Sequence, residues 1–543
     1  MSAFQLNLLY RQGQFLLFVA NVTFMAVPAF ATDCGRLASL KIEHVTLDKA
    51  EVVGGGIFKP ASGDPITGLP VFCRVAATLK PSQDSHIRIE VWMPEKTWNG
   101  RIEGTGNGGF AGTILYKSLA AGLRLGYAVT NTDMGMATPA GTDASVFVDQ
   151  PERWIDWGYR STHEMTVATK ELVKAYYSRN ASRAYFVGCS TGGEQALMEA
   201  QRFPDDYDGI VGGAAANNRT GVHMSILWTF AALQDSPESS LPAQKASILS
   251  KAVLNACDAL DGVRDGLITD PRRCVFDAGV LECKEGDQED CLTKAQVETV
   301  RKIYAGPIDS RTGRNIYPGL ARGSEFAWDT RLLPPGQAKS APYAPIFEWV
   351  FGAHWDWRDF DFAADSKIFD EKLRGFLNAT TPDLDTFRAH GHKLLMYHGW
   401  SDPLVAPGEA INYYNSVVTR DQEISRSNQP NTSNGSGASS RSTIADSYRL
   451  FMVPGMSHCT GGPGPSDFAP LDAVVKWVEQ GIAPDTLIAR KALPADGDRK
   501  AAMERLLCPY PRIAQYQGSG DVDNASNYTC VEPVTQSFAP IVK

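Results

Sequence analysis

Two hydrophobic periods alternate along the chain, and their alternation predicts most of its elements. Residues 37–104 carry short β-like runs, among them Val71–Val75 and Ile87–Trp92, separated by Gly/Pro turns. A further strand is predicted over Gly126–Thr132. A 3.6-residue period then predicts a helix from about Tyr159 to Tyr177, with Met165, Val167, Leu172, Val173 and Tyr176 as its apolar positions. Arg183–Cys189 reads as a strand, Glu194–Arg202 as a helix and Tyr207–Gly213 as the next strand and turn. Strands alternating with helices indicate a parallel sheet covered on both faces.

The rhythm stops at residue 214. From about 214 to 384 the chain is rich in Trp, Pro, Asp and Cys, with long helical pieces and no β/α alternation. It resumes at Lys393–Gly399 and again at Tyr448–Val453, which Pro454-Gly455 ends. The pattern predicts one α/β domain over 32–213 and 385–543, with 214–384 inserted as a lid. Ser425–Ser442 is rich in Ser, Asn and Gly and lacks the apolar residues that would offset its ordering entropy, so a solvated, mobile loop is expected there.

Composition places the protein among folded globular chains, with 43% hydrophobic and 21% charged residues. A formal charge of −9 and the lack of a basic stripe argue against a nucleic-acid partner. Arg11, the apolar segment Phe15–Val27 and Ala29-Phe30-Ala31 predict a signal peptide over 1–31. Asn21, Thr23 and Pro28 interrupt that segment, and no later one is long and apolar enough for a membrane span. A secreted or periplasmic protein is therefore expected. All ten cysteines lie beyond the predicted cleavage site and none forms Cys-x-x-Cys, which favours disulfides over a zinc site. Neighbour pairing gives Cys257–Cys274, Cys283–Cys291 and Cys508–Cys530. Cys34 with Cys73, and the far-separated Cys189 and Cys459, remain.

The candidate chemistry begins at Gly188-Cys189-Ser190-Thr191-Gly192. Gly-x-Ser-x-Gly between a strand and a helix matches a nucleophile elbow, whose strained turn needs small neighbours at 188 and 192. By itself the motif is equally an ordinary Gly-rich turn. A nucleophilic serine also needs a base, and the base an orienting carboxylate. Of nine histidines, His458 stands just past a strand, and Asp402 likewise follows a strand. Strand C-terminal ends are where open α/β sheets bind ligands, and the order Ser190, Asp402, His458 is that of an α/β-hydrolase triad. The Gly104–Phe110 loop is either a flexible turn or a second oxyanion donor, in which Gly108 or Gly109 would join the Thr191 amide. Position puts Leu404 and Val405 at the pocket border. Cys189 precedes the proposed nucleophile and Cys459 follows the proposed base, so a Cys189–Cys459 bridge would pin the two side by side.

This Cys-Ser, Asp, His-Cys arrangement resembles the tannase and feruloyl esterase family, which includes a bacterial mono(2-hydroxyethyl) terephthalate hydrolase. The markers are Gly106–Phe110, Gly188–Gly193, Tyr397–Asp402 and His458–Gly464, and the five cysteine pairs also look like that family's. The resemblance implies an α/β-hydrolase fold with a large inserted lid. It also implies a serine carboxylesterase that acts on small aromatic (phenolic) esters, feruloyl or galloyl, through an acyl-enzyme and without an organic cofactor. A terephthalate monoester is the alternative substrate within the family. A serine peptidase would share the triad but not the cysteines. The lid aromatics Trp349, Phe351, Trp355, Trp357 and Phe360 are candidates either for lid core or for a wall facing a flat acyl group. In Cys257–Ile268 three carboxylates, Asp258, Asp261 and Asp265, recur in a Gly-containing turn without the spacing of an EF-hand. The residues alone fit either an acidic surface turn or a calcium site. The resemblance implies a structural Ca2+ in the lid, with Val263 and Leu267 adding carbonyls.

Overall fold

In a computed structural model the described residues are 33–110, 112–136, 147–328, 341–427, 443–491 and 503–533. The signal segment 1–31 and residues 428–442 of the Ser/Asn/Gly-rich stretch lie outside them. Among the described residues, nine strands form one sheet: β1 (Val45–Val53), β2 (Phe72–Leu79), β3 (Ile87–Pro94), β4 (Arg101–Thr105), β5 (Ala128–Thr132), β6 (Arg183–Cys189), β7 (Gly209–Gly213), β8 (Lys393–Gly399) and β9 (Tyr448–Val453). Their order is β1-β2-β3-β5-β4-β6-β7-β8-β9.

The sheet is mixed rather than parallel throughout. β1, β2, β3 and β5 pair antiparallel, whereas every pairing from β5 to β9 is parallel. No helix intervenes between β1 and β3, and parallel pairing would require such a crossover.

Side-chain alternation divides the core in two. In β6, Ala184 and Phe186 face one apolar cluster while Tyr185 faces the other. In β9, Tyr448, Leu450 and Met452 go one way, and Phe451 and Val453 the other. Helices α1 (Tyr116–Arg124), α2 (Ser161–Tyr177), α3 (Thr191–Arg202), α4 (Arg219–Gln234), α5 (Pro407–Ser427) and α6 (Pro470–Gln480) are the main ones used below. α2, α3 and α5 cover the first face, α1 and α6 the second. Met165, Leu172, Val173 and Tyr176 of α2 are buried as their spacing predicts, but Val167 is 40% exposed. It lies two residues from Met165, about 200° around the helix.

Among the described residues between β7 and β8, the chain adds no strand to the sheet. It forms helices and short 3-10 turns around two cores of its own, one built on Leu249, Val253, Val297 and Val300, the other on Phe347, Phe369, Leu373 and Leu377. The second core also takes in Phe110 and Trp157 from before the insertion. All ten cysteines pair, as Cys34–Cys73, Cys189–Cys459, Cys257–Cys274, Cys283–Cys291 and Cys508–Cys530.

Candidate active site

The site is assembled where β6, β7, β8 and β9 end. β6 runs into Ser190, whose φ of 64° lies in the left-handed region that an L side chain rarely adopts. Such a conformation costs on the order of 1–3 kcal/mol and persists only where its surroundings impose it. They do so here. Ser190 N donates to Gly213 O at 2.9 Å, and its carbonyl accepts from Glu194 N at 3.1 Å and Ala216 N at 3.2 Å. A side chain at Gly188 would run into the backbone of Gly192, and one at Gly193 into Gly213 and Ala215. α3 starts directly at Thr191, three residues before the helical pattern predicted over Glu194–Arg202. Of the glycines that blunt the pattern, Gly193 has no room for a side chain, and a Cβ at Gly192 would press on the backbone of Gly106 and Asn107.

His458 and Asp402 arrive from the next two strand ends. His458 Nε2 is 2.9 Å from Ser190 Oγ, and His458 Nδ1 is 2.7 Å from Asp402 Oδ2. Asp402 is fully buried, yet each oxygen has two partners. Leu404 N and Val405 N donate to Oδ1 at 2.8 and 3.0 Å, and His398 Nε2 lies 3.1 Å from Oδ2. Burial alone would raise its pKa, but the charge of His458 and the hydrogen bonds from His398 and His458 outweigh it. They hold the carboxyl well below the usual carboxylate range. Cys189 and Cys459 are bonded, with Cα atoms 5.9 Å apart and 270 residues between them in sequence.

A family model for tannase and feruloyl esterase matches residues 73–531. The chain belongs to the tannase and feruloyl esterase family. It is 36% identical over 535 residues to an esterase of Xanthomonas campestris, a match covering 92% of this chain and 91% of that protein. It is 30% identical over 550 residues to a probable feruloyl esterase B-2 of Aspergillus oryzae, covering 97% and 94%. Among solved structures, feruloyl esterase B from Aspergillus oryzae superposes with a TM-score of 0.80 at 29% identity, covering 92% of this chain and 99% of that one. Tannin acyl hydrolase from Aspergillus niger, at a TM-score of 0.73 and 23% identity, shares the fold and covers 92% and 95%. The fold is therefore that of the α/β-hydrolases and the protein is a carboxylic-ester hydrolase, of class EC 3.1.1.

In this esterase the Gly104–Phe110 loop lies across the elbow. Gly192 N donates to Asn107 O at 2.8 Å, and Thr191 Oγ1 donates to Gly109 O at 2.8 Å. Thr191 is the first residue of α3, so its amide has no carbonyl one turn back to donate to. Gly108 is exposed, and a Cβ built on it meets nothing within 4 Å, so its backbone is open to a ligand. Gly109 has a φ of 59°.

Three features escaped the motif reading. His398, inside the Tyr397–Asp402 marker but given no role there, is fully buried in β8. It bonds Asp402 and the Val405 carbonyl, at 3.0 Å, through Nε2, and its Nδ1 has no partner among the described residues. Leu404 and Val405 act through their amides on Asp402, and Val405 is buried in the insertion-side core rather than bordering a pocket. Behind Thr191, Arg219 of α4 donates through Nη2 to Thr191 Oγ1 at 2.9 Å, pairs with buried Glu194 and lies 5.0 Å over the Trp157 ring. Only the packing of three segments, around Trp157, α3 and α4, reveals that pair. Of the aromatics singled out in the segment 214–384, Trp355 stacks on Phe347 at 4.6 Å, Phe351 and Phe360 pack together, and Trp357 meets Phe230. Trp349 reaches Phe110, 5.9 Å away, next to the Gly-rich loop.

The acidic turn is held to the C-terminal hairpins. Asp265 Oδ2 accepts from Arg505 Nη2 at 2.6 Å, and Asp265 Oδ1 from Leu267 N at 3.0 Å. Asp258 accepts from Asp265 N and Gly266 N, and Asp261 from Val263 N and Thr269 Oγ1. Among the described residues no three acidic, His or Cys side chains converge as a cation's ligand set. The donors are nonetheless all oxygens, as a hard cation requires. Loading an ion would mean that these carboxylates exchange amide and guanidinium partners for it.

Proposed function

We propose that this esterase cleaves small aromatic esters, feruloyl or galloyl in type, through a covalent acyl-Ser190 intermediate. The observation that carries the mechanism is the unbroken hydrogen-bonded line from Ser190 Oγ through His458 to Asp402. His458 Nε2 takes the hydroxyl proton as Oγ attacks the ester carbonyl, and Asp402 holds the imidazole tautomer and stabilises the imidazolium. The Thr191 amide, with that of Gly108 or Gly109, would stabilise the oxyanion. His458 then protonates the leaving alcohol. Water, deprotonated by the same nitrogen, releases the acid and restores Ser190.

The aromatic substrate class rests on the relatives, which are named feruloyl esterases and a tannin acyl hydrolase. The inserted segment 214–384 takes the part of a lid, with His223, Tyr343 and Trp349 bringing rings within 5.6, 5.7 and 5.9 Å of Phe110 in the Gly-rich loop. The test is acid release from methyl ferulate, methyl gallate and mono(2-hydroxyethyl) terephthalate, with Ser190→Ala as control. Turnover of a phenolic ester, lost in the variant, is expected. Turnover of none of the three, or activity surviving in Ser190→Ala, would sink the reading.

Two further parts of the proposal stand apart from the chemistry. Ten cysteines, all paired, suit an oxidising compartment, and with the signal segment they support export. Cell fractionation with N-terminal sequencing of the mature protein tests this. Asp258, Asp261 and Asp265, with the Val263 and Leu267 carbonyls, would hold a structural Ca2+. Its role would be to add positive charge to the turn, where burial and the neighbouring Asp261 raise the pKa of Asp265 and Arg505 lowers it. Chelation should lower Tm, and Ca2+ but not Mg2+ should restore it. An unchanged Tm would count against the site.

A further inference from the structure

We propose that a groove beside the Asp402 segment binds an aromatic carboxylate at a site separate from Ser190. A cavity of about 540 Å3 opens between Trp400, Tyr304, Ile411 and the Arg272-Arg273 turn. Ser190, Asp402 and His458 do not line it. Its size is that of a site for a small organic molecule.

Two properties define the ligand. The first is flat apolar wall: the indole of Trp400 and the ring of Tyr304, with Ile411 between helices. The second is positive charge on a lining that holds no acid, although Asp270 pairs with Arg272 from outside it. Three arginines line the groove, Arg272, Arg273 and Arg322, and no acidic side chain does. Arg272 is tied from behind to Asp270 at 2.8 and 2.7 Å, and its guanidinium lies 5.5 Å from the Trp400 ring. Arg322 is held 4.5 Å over the Tyr304 ring by donating Nε and Nη2 to Phe276 O. Arg273 is exposed and has no side-chain partner among the described residues. A fork of this kind in a protein of charge −9 recruits an anion, and guanidinium planes fixed beside aromatic rings suit a flat one. A carboxylate on an aromatic ring meets both demands, the oxygens on Arg273 and Arg322 and the ring against Trp400 and Tyr304.

The site owes nothing to the acyl-transfer reading, so it is tested in full-length Ser190→Ala protein. Equilibrium dialysis would count bound benzoate per chain, with benzamide as neutral isostere and glucuronate as a non-aromatic acid. In the same background, Arg273→Glu should lose one equivalent of bound benzoate or weaken that site more than tenfold. Arg273→Glu on the active enzyme should leave kcat/KM for a neutral aryl ester unchanged. Benzamide or glucuronate filling the site as well as benzoate, or an unchanged benzoate count in Arg273→Glu, overturns the proposal.

Discussion

Asp402 has four hydrogen-bond partners in a fully buried place, and they define what it does. A buried carboxylate this well satisfied stays ionised far into acid, so Asp402 keeps its orienting charge at any pH at which the enzyme would work. Asp402→Asn keeps the shape but offers an amide to His458 Nδ1 and favours the wrong tautomer. kcat should fall on the order of 10⁴-fold, read by steady-state kinetics on a feruloyl ester. His398→Leu is a subtler test. Removing its Nε2 donor leaves Asp402 Oδ2 with His458 as its one partner, so kcat should fall in His398→Leu and be partly recovered in His398→Gln, which keeps a donor. Equal loss in the two variants would mean that His398 only fills space.

The elbow and the His458 loop form one element across 270 residues of chain, because Cys189 and Cys459 join them. Both sides of the join are backbone outliers, Ser190 at φ 64° and Cys459 at φ 65°. The bridge therefore ties together two strained turns, one carrying Ser190 and the other following directly after His458. Replacing both cysteines by serine should cost about 2–5 kcal/mol in denaturant unfolding. kcat should fall more than KM rises, because the substrate's binding groups are untouched. Gly193→Ala is the backbone counterpart. Its methyl would enter the space of Gly213 and Ala215, and overpacking of that kind costs about 1–3 kcal/mol, with the elbow displaced and activity reduced.

Over the whole molecule, several carboxyls are buried without full compensation. Glu103 in β4 is pushed up to about 8 by burial, and its Oε2 has no partner among the described residues. Burial also pushes Glu409 up to about 7, and Glu194 up to about 7 with Arg219 opposing. A folded-state pKa above the unfolded one means that stability is fully present below the unfolded value and is lost as pH rises through the folded value. These groups should make ΔG of unfolding decline from about pH 4.5 toward pH 8, since 4.5 is the ordinary value and about 8 the raised one for Glu103. Asp402 acts in the opposite sense, its contribution being lost as pH falls below about 3.8. Glu103→Gln should flatten the decline in urea titrations run across that range. An unchanged slope would assign it elsewhere.

Hydrophobic period and local chemistry determined a good deal here without tertiary information. Near-continuous apolar runs marked β6, β8 and β9, because a strand buried on both faces must be apolar along its length. The α3 signal, interrupted by Gly192 and Gly193, was legible from Glu194 onward only, since glycine carries no periodicity. Gly-x-Ser-x-Gly, the strand-end positions of Asp402 and His458, and cysteines beside Ser190 and His458 are contiguous patterns, so the triad and its bridge could be read off in order. What only the folded chain decided depends on contacts between segments distant in sequence. The antiparallel edge β1–β3 follows from connection lengths and pairing rather than from side-chain period. His398 carried no role within β8 until the return of the chain at Asp402 gave its Nε2 a carboxylate. Arg219 found Thr191 and Glu194, and Arg505 found Asp265, only through packing, because an ion pair between remote segments leaves no spacing to read.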